Sequence, residues 1–264
     1  MRLKIEHTTT FTYDRPISEA YTEMVLKPMD GFGQHCLSFR LTTQPHDEHL
    51  NFTDRFGNEV SHFDVIQPHQ KLVVAAQSEV LTSDSFVQPV SSLFPLDEFD
   101  YLMATDYAPL SQEIARFSAA HRVDGDPKAT SLALMGHIFS TLQYEKGATN
   151  VTTTADEALK LGRGVCQDFS HLMLAACRSL QIPARYVSGY LYNNGHSADS
   201  HAWVDVYLPG TGWIALDPTH NREQTGEYVR VAIGRDYADV PPTHGIFVGN
   251  ARESMEVSVT VTQL

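Results

Sequence analysis

Three residues far apart in the chain, Cys166, His201 and Asp217, have types and spacings that could carry out nucleophilic chemistry. Cys166 follows Gly162-Arg163-Gly164-Val165 at the predicted start of a helix. The N-terminus of a helix offers unpaired backbone N–H groups and the positive end of the helix dipole, which favour an anion there. Because the thiolate is the reactive form of cysteine, this position favours a nucleophile. A buried structural cysteine is the commoner role, so the partners of Cys166 must decide between the two.

A thiol nucleophile needs a base, and the base needs a group that orients it. His201 opens one predicted strand, and Asp217 ends the next strand sixteen residues later. The turn signal Pro209-Gly210-Thr211-Gly212 lies near the midpoint, so a hairpin would bring the two side chains within about two residues of facing each other. Asp217 can then accept from one imidazole nitrogen while the other nitrogen faces Cys166. The backbone N–H of Cys166 is the predicted oxyanion donor.

Neighbouring residues compete for the base and orienting roles. Asp205 shares the strand face of His201 but lies two alternations away, and we interpret it as a solvated strand aspartate. His196 and Asp199 fall in a loop rich in Gly, Asn and Ser, and we interpret them as surface residues. His220 follows a proline and takes the base role only if the hairpin register differs.

Three aromatic residues and a second cysteine complete the set of candidates. Trp203 and Trp213 flank the predicted hairpin, where core packing is the favoured interpretation and substrate stacking by Trp203 is the alternative. Tyr144 is a candidate for contact with the substrate or for the second oxyanion donor. Cys177 lies eleven residues after Cys166, about 16 Å along a helix axis, which excludes a disulfide between them. We interpret Cys177 as a core residue.

The patterns of the surrounding segments divide the chain into two parts. Residues 1–82 alternate with a period of two, as from Leu3 to Tyr13, and predict an all-β, sandwich-like domain. Residues 83–108 are rich in Ser, Pro and Asp without a clear period, and predict a linker. Residues 109–264 place helices before antiparallel strands, which indicates an α+β catalytic domain. The alternation over residues 257–261 predicts that the tail returns to a sheet.

The composition restricts partners and compartment. Nineteen Lys and Arg against 32 Asp and Glu give a net charge of −13, which disfavours nucleic acid as a partner. No run approaches the ~18 consecutive apolar residues of a membrane span, and the start of the chain lacks the apolar segment of a signal peptide. Three cysteines without a CxxC pair fit a reducing compartment and disfavour a structural zinc site. We therefore expect a cytoplasmic protein without membrane contact, metal or cofactor.

Three motifs resemble those of a known family. They are Gly164-Val165-Cys166-Gln167-Asp168-Phe169, Ser200-His201-Ala202-Trp203-Val204 and Gly212-Trp213-Ile214-Ala215-Leu216-Asp217-Pro218-Thr219. In order and spacing they resemble the core motifs of the transglutaminase-like superfamily over about residues 140–222, and residues 1–80 resemble the β-rich N-terminal region of its bacterial members. The resemblance implies a papain-like α+β core and a Cys166–His201–Asp217 triad.

The resemblance leaves the reaction open, because the superfamily is known for transglutaminases, peptidases, peptide:N-glycanase-type amidases and members without activity. Our leading hypothesis is a cysteine hydrolase that cleaves peptide or isopeptide amides of a peptide or protein substrate through a thioester. The alternatives are a protein-glutamine transamidase and a non-catalytic binding or scaffold module. Papain-type proteases have a helper Gln six residues before the nucleophile, where this chain has Lys160. The sequence therefore leaves the second oxyanion donor unidentified, and it does not predict the oligomeric state.

Overall fold

The computed structural model describes residues 1–84, 95–193 and 200–264. The helices of these residues are α1 (Pro95–Leu102), α2 (Gln112–Ala119), α3 (Pro127–Thr141), α4 (Ala155–Leu161) and α5 (Cys166–Ser179), with a short 3-10 turn at Tyr237–Asp239. The strands are β1 (Arg2–Ile17), β2 (Glu19–Met24), β3 (Gln34–Gln44), β4 (Leu50–Thr53), β5 (Glu59–Val65), β6 (His69–Thr82), β7 (Gln143–Tyr144), β8 (Arg163–Gly164), β9 (Ala184–Leu191), β10 (Ser200–Leu208), β11 (Gly212–Asp217), β12 (Arg222–Glu223), β13 (Tyr228–Gly234), β14 (Thr243–Val248) and β15 (Glu253–Gln263). None of these helices is long and apolar enough to cross a membrane.

The described residues form three antiparallel sheets. Sheet 1 has the strand order β15-β1-β6-β3, sheet 2 has β14-β2-β5-β4, and sheet 3 has β12-β11-β10-β9-β13. A short parallel pair, β7 and β8, lies beside the start of α5. The predicted fold class, an α+β core with an N-terminal all-β region, is confirmed.

One face of sheet 1 covers two separate cores, because β1 is long enough to reach both. Leu3 and Ile5, near the start of β1, pack into the core that contains α5. Phe11 and Tyr13, further along the same face, pack into the core shared with sheet 2. Between them His7 is buried, and its Nδ1 lies 2.8 Å from the hydroxyl oxygen of Tyr190 on β9. A single alternating strand therefore joins the sandwich to the core around α5.

Two buried amide side chains hold the edge of sheet 3. The side chain of Gln34 accepts from the backbone N–H of Arg230 at 2.7 Å and donates to the Arg230 carbonyl at 2.8 Å. Asn58 makes the same pair of bonds with the backbone of Ile233, both at 2.8 Å. Each amide thus occupies the hydrogen-bonding groups that β13 would otherwise leave unpaired.

Local sequence signals determine where the helices that precede α5 begin and end. Ser111 caps α2 by accepting from the N–H of Ile114. Thr154 and Glu157 form a capping box at the start of α4. α4 ends at Gly162, whose φ of 68° is the left-handed conformation that glycine adopts without strain. The chain then passes through β8 and enters α5, which is buried on every side from Asp168 to Arg178.

The arrangement along the chain differs from the predicted domains at two places. The second half of the predicted linker, residues 83–108, contains α1, and its Tyr101 packs edge-to-face on Trp213 with ring centroids 5.2 Å apart. The end of the predicted catalytic segment, residues 109–264, supplies β14 to sheet 2 and β15 to sheet 1. The alternation of β15 buries Val259 and Val261, which explains why this strand pairs with β1.

Candidate active site

The start of α5 is fixed by a buried carboxylate. Asp168 accepts from the backbone N–H of Val165 and from the hydroxyl of Thr149, each at 2.7 Å. A Cβ on Gly164 would lie 2.5 Å from the Asp168 carboxylate, so this position requires glycine. These contacts make Cys166 the first residue of the helix, where its N–H has no intrahelical acceptor.

His201 joins Cys166 to Asp217. Its Nε2 lies 2.7 Å from Asp217 Oδ2, and its side chain is hydrogen-bonded to Cys166. Because Nε2 faces the carboxylate, Nδ1 is the nitrogen left for the sulfur. Burial disfavours the imidazolium, but the bonds to Asp217 and Cys166 outweigh burial and raise the pKa of His201 to about 10. The imidazole is therefore held as a cation at neutral pH.

The hairpin of β10 and β11 produces this contact. The pairing of the two strands runs from Leu208 opposite Gly212 to Val204 opposite Leu216. His201 and Asp217 lie just beyond the last pair, within two residues of facing each other. The structure thus brings together the three residues that the sequence singled out.

Two residues that sequence reasoning did not assign also bond to Asp217. His220 Nδ1 lies 2.8 Å from Oδ2, and the hydroxyl of Tyr228 donates to the same oxygen at 2.7 Å. The backbone N–H of Thr219 donates to Oδ1 at 2.8 Å. Burial opposes ionisation, but the hydrogen bonds from His201, His220 and Tyr228 hold the pKa of Asp217 well below its usual range. His220, weighed above as an alternative base in a different hairpin register, instead shares the carboxylate with His201.

An ion pair extends the network behind Tyr228. The guanidinium Nε of Arg222 donates to the Tyr228 oxygen at 2.9 Å, and its Nη1 donates to Glu227 at 2.7 Å. Burial, together with the charge of Asp217, raises the pKa of Tyr228. Tyr228 therefore stays protonated and donates a hydrogen bond to Asp217 at every ordinary pH.

The substrate-stacking alternative for Trp203 is wrong. Trp203 is fully buried beneath the site. Its ring stacks on His201 with ring centroids 6.1 Å apart and meets Tyr228 edge-to-face with centroids 5.2 Å apart. A Cβ on Gly189 would lie 2.7 Å from the indole ring, so glycine makes room for it. Trp203 forms the floor under His201 and does not line the cleft.

A cleft of about 350 Å³ opens at Cys166 and His201. Tyr144, the other candidate for contact with the substrate, lines it and is 46% exposed. The side chain of Gln167 donates to the carbonyl of Val151 at 2.9 Å and fixes one wall. Most of the remaining wall is apolar or aromatic. These residues are Val151, Val165, Tyr186, Ala202, Tyr237, Pro242, Val257 and Val259, and the polar ones are Lys146, Ser188 and Ser200.

The interpretation of Asp205 as a solvated residue is wrong. Its side chain is 1% exposed and forms ion pairs with Arg185 at 2.8 Å and Arg230 at 2.6 Å. Burial opposes ionisation, but the two guanidinium charges hold the pKa of Asp205 below its usual value. The arginines reach Asp205 from β9 and β13, the strands that follow β10 in the sheet order. Asp205 therefore has no bond to His201 and belongs to a different network.

The other cysteines lie in different surroundings. Cys177 is fully buried, as predicted, and burial raises the pKa of its thiol to about 12. Cys36 is half-buried on β3 in the sandwich, and burial together with the charge of Asp30 raises the pKa of its thiol. Among the described residues, only Cys166 is a cysteine hydrogen-bonded to a histidine.

Three ligand atoms of His201, Asp217 and His220 lie within 4.8 Å of one another, so these residues could hold a metal ion. The same atoms already make the hydrogen bonds at 2.7 and 2.8 Å that join the two histidines to Asp217. A metal would have to replace those bonds, so the donor set fits the hydrogen-bonded arrangement better. His196 and Asp199 lie outside the described residues.

Comparison with known proteins gives two family matches along the chain. Residues 117–218 match the transglutaminase-like superfamily, and residues 3–81 match the bacterial transglutaminase-like N-terminal region. An uncharacterized protein of Mycobacterium leprae is 34% identical over an alignment of 279 positions, which covers 100% of this chain and 99% of that protein.

Two further relatives carry functional descriptions. A crystal structure from Cytophaga hutchinsonii, provisionally described as a cysteine protease, has a TM-score of 0.81 and 25% identity, and covers 100% of this chain and 91% of that one. A protein-glutamine gamma-glutamyltransferase of Pseudomonas aeruginosa is 33% identical over 82 residues, which cover 28% of this chain and 12% of that protein.

Proposed function

Because the chain belongs to the transglutaminase-like superfamily, we propose that it is a cysteine hydrolase that cleaves peptide or isopeptide amide bonds. The observation that carries the proposal is the hydrogen-bonded series Cys166–His201–Asp217, with Cys166 and His201 lining an open cleft. The description of the Cytophaga hutchinsonii relative as a cysteine protease supports the same class of reaction. Cytoplasmic location and a peptide or protein substrate stay predictions.

The first half of the proposed reaction forms a thioester. In the reacting form the thiol proton of Cys166 already lies on His201 Nδ1, and the thiolate attacks the carbonyl carbon of the amide. The carbonyl oxygen becomes an oxyanion that accepts from the backbone N–H of Cys166. His201 then donates its proton to the leaving nitrogen, the C–N bond breaks, and the amine departs.

The second half returns the enzyme to its starting state. His201, now neutral, takes a proton from a water molecule as the water attacks the thioester carbonyl. The C–S bond breaks, the carboxylic acid leaves, and the thiolate and imidazolium are restored. Asp217 keeps its negative charge throughout, and its bond to Nε2 fixes the tautomer of His201 and stabilises the cation.

A transamidase is the second candidate, and one observation favours it. The Pseudomonas aeruginosa relative that matches over 82 residues is a protein-glutamine gamma-glutamyltransferase. A transamidase forms the same thioester on Cys166, but an amine replaces water in the second half. The balance between the two depends on how well the cleft excludes water from the thioester.

An acyl-donor assay tests the proposal and separates the two candidates. Purified protein is incubated with a Gln-bearing peptide and with fluorogenic peptide amides, with and without a fluorescent primary amine. The proposal predicts release of ammonia or of the fluorophore without incorporation of the amine. Efficient incorporation would favour the transamidase. Cys166→Ala should be inactive and Cys36→Ala fully active, while equal activity of the two variants would remove the thioester mechanism.

A further inference from the structure

The outer strand of sheet 1, β15, presents a long and unguarded edge. Its eleven residues pair with β1 without a register shift from Leu3 opposite Gln263 to Tyr13 opposite Glu253. Natural sheets guard such edges with Pro, Lys or bulges, because an open edge readily pairs with another strand. The sequence of β15, ESMEVSVTVTQ, contains neither Pro nor Lys, and its two charged residues, Glu253 and Glu256, lie in its first four positions. The comparable edge at β13 is occupied by the side chains of Gln34 and Asn58.

The pairing with β1 determines which backbone groups face outwards. The backbone N–H of Leu264 donates to the carbonyl of Arg2 at 2.9 Å, and the backbone N–H of Asp14 donates to the carbonyl of Arg252 at 3.1 Å. Inward and outward positions alternate in an antiparallel ladder, so the even-numbered residues between these two points bond to β1. The odd-numbered residues, among them Met255, Val257 and Val259, therefore turn N–H and C=O to the open edge. Within the described parts of the chain, nothing bonds to these groups.

This edge continues into the active-site cleft. Val257 and Val259 line the cleft together with Cys166 and His201. Val257 is 49% exposed, and Met255, two residues further from the cleft, is 51% exposed. An extended chain that bonds to the outward groups of these residues would run along β15 and reach the nucleophile.

We propose that the edge of β15 binds an extended segment of the polypeptide substrate as an added strand and guides it to Cys166. This inference rests on the proposed hydrolase function and names its substrate class, a linear or unfolded polypeptide with free backbone amides. The continuity of the edge with the cleft favours a substrate segment as the occupant over a second copy of the chain. Hydrogen bonds between the two main chains supply the affinity. Every second side chain of the substrate lies on the side of the sheet where the cleft opens.

Binding in an inactive background tests the edge separately from catalysis. The probe is a fluorescein-labelled linear dodecapeptide of alternating Val and Thr with a central Gln, measured by fluorescence anisotropy on Cys166→Ala protein. Met255→Pro removes one outward N–H, and Met255→Ala removes the same side chain but keeps the N–H. One hydrogen bond contributes about 1 kcal/mol, so Kd should be about fivefold weaker in Met255→Pro than in Met255→Ala. Circular dichroism must show that both variants fold.

A second probe removes the complementary groups from the peptide. The same dodecapeptide is made in two forms, with N-methyl groups on either its odd-numbered or its even-numbered amides, and one of the two forms should bind weakly to Cys166→Ala protein. The affinity of that weakly binding form should be equal for the Met255→Pro and Met255→Ala variants. Equal affinity of the unmethylated peptide for the two variants, or no binding at all, would overturn the inference. A dimer in sedimentation that Met255→Pro dissociates would also overturn it, because a second copy would then occupy the edge. Inactivity of the wild-type protein alongside the predicted binding would instead count against the hydrolase function.

Discussion

Two buried carboxylates of the β10–β11 hairpin, Asp217 and Asp205, have opposite surroundings. Asp217 accepts from two histidines and a tyrosine, and one of these histidines reaches the cleft. Asp205 is held between Arg185 and Arg230 and is sealed from solvent. Both carboxylates are ionised, since their partners hold the pKa of each below its usual value.

The difference lies in what the partners can do with a proton. Arginine stays charged at all ordinary pH values, so the network of Asp205 only balances charge and ties β10 to its neighbours. Histidine can gain and lose a proton, so the network of Asp217 can support proton transfer. Burial of an aspartate is therefore not a sign of catalysis by itself. The chemistry of the partners and their access to the cleft distinguish the two.

The largest expected effect is on the activity of Asp217→Asn. An amide at this position cannot stabilise the His201 cation and favours the wrong tautomer. By analogy with other triads, we expect kcat/KM to fall by about 10⁴-fold. Steady-state kinetics on the best fluorogenic amide checks this, with Asp205→Asn as the matched control. If Asp205→Asn lost more activity per folded molecule than Asp217→Asn, the assignment of the two networks would be reversed.

The second prediction concerns stability. Asp205→Asn leaves Arg185 and Arg230 buried without a counter-charge, so we expect the free energy of unfolding to fall by about 3–5 kcal/mol. Urea unfolding followed by circular dichroism measures it. The kcat/KM of the molecules that remain folded should stay near the wild-type value. A loss below 1 kcal/mol would show that the Asp205 network does not tie the strands together.

The third prediction is the pH dependence. The pKa of His201 is raised from 6.5 to about 10, so His201 should stay protonated up to that pH. Activity should decline as pH passes through about 10, because the acid that protonates the leaving nitrogen is then lost. The same shift stabilises the fold fully below pH 6.5, and this stabilisation is lost as pH rises to about 10. Rate profiles and melting temperatures between pH 5 and 11 test both. Asp217→Asn should lower the basic limb, and Asp205→Asn should leave it in place.

The smallest effects are expected for the outer partners of Asp217. Tyr228→Phe and His220→Gln each remove or weaken one bond to Oδ2, while the bond from His201 remains. We expect kcat to fall by about fivefold to tenfold in each, which corresponds to the loss of one typical hydrogen bond of about 1 kcal/mol. A fall as large as that of Asp217→Asn in the His220 variant would indicate that His220, not His201, transfers the proton.

The sequence predicted the parts of this site that depend on local patterns. Cys166 was found from the helix start, and the contact of His201 with Asp217 from the turn midway between them. His220 and Tyr228 were not assigned, because they reach Asp217 through the path of the chain after β11. Asp205 was misread for a similar reason, since its arginines come from other strands. A buried aspartate with arginines on the next strand and on the one after it is a signal only once the sheet order is known.

The fold shows the same division between local and distant information. The alternation in the tail predicted a strand, but the pairing of β15 with β1 needs contacts over about 250 residues of sequence. The segment around α1 was predicted as linker because it is rich in Ser, Pro and Asp and shows no clear period. Its Tyr101 is instead held by packing on the distant Trp213. Sequence periodicity identifies an element, whereas the partner of that element is determined by the whole core.

Trapping of an acyl-enzyme tests most directly whether Cys166 is the nucleophile and His201 its base. The protein is mixed with an activated acyl ester, quenched with acid within seconds, and mapped by mass spectrometry. We expect one acyl group on Cys166 in the wild type, a much slower adduct in His201→Gln, and none on Cys177. Acylation of Cys36 instead, or hydrolysis of the ester by Cys166→Ala protein at the wild-type rate, would contradict this assignment.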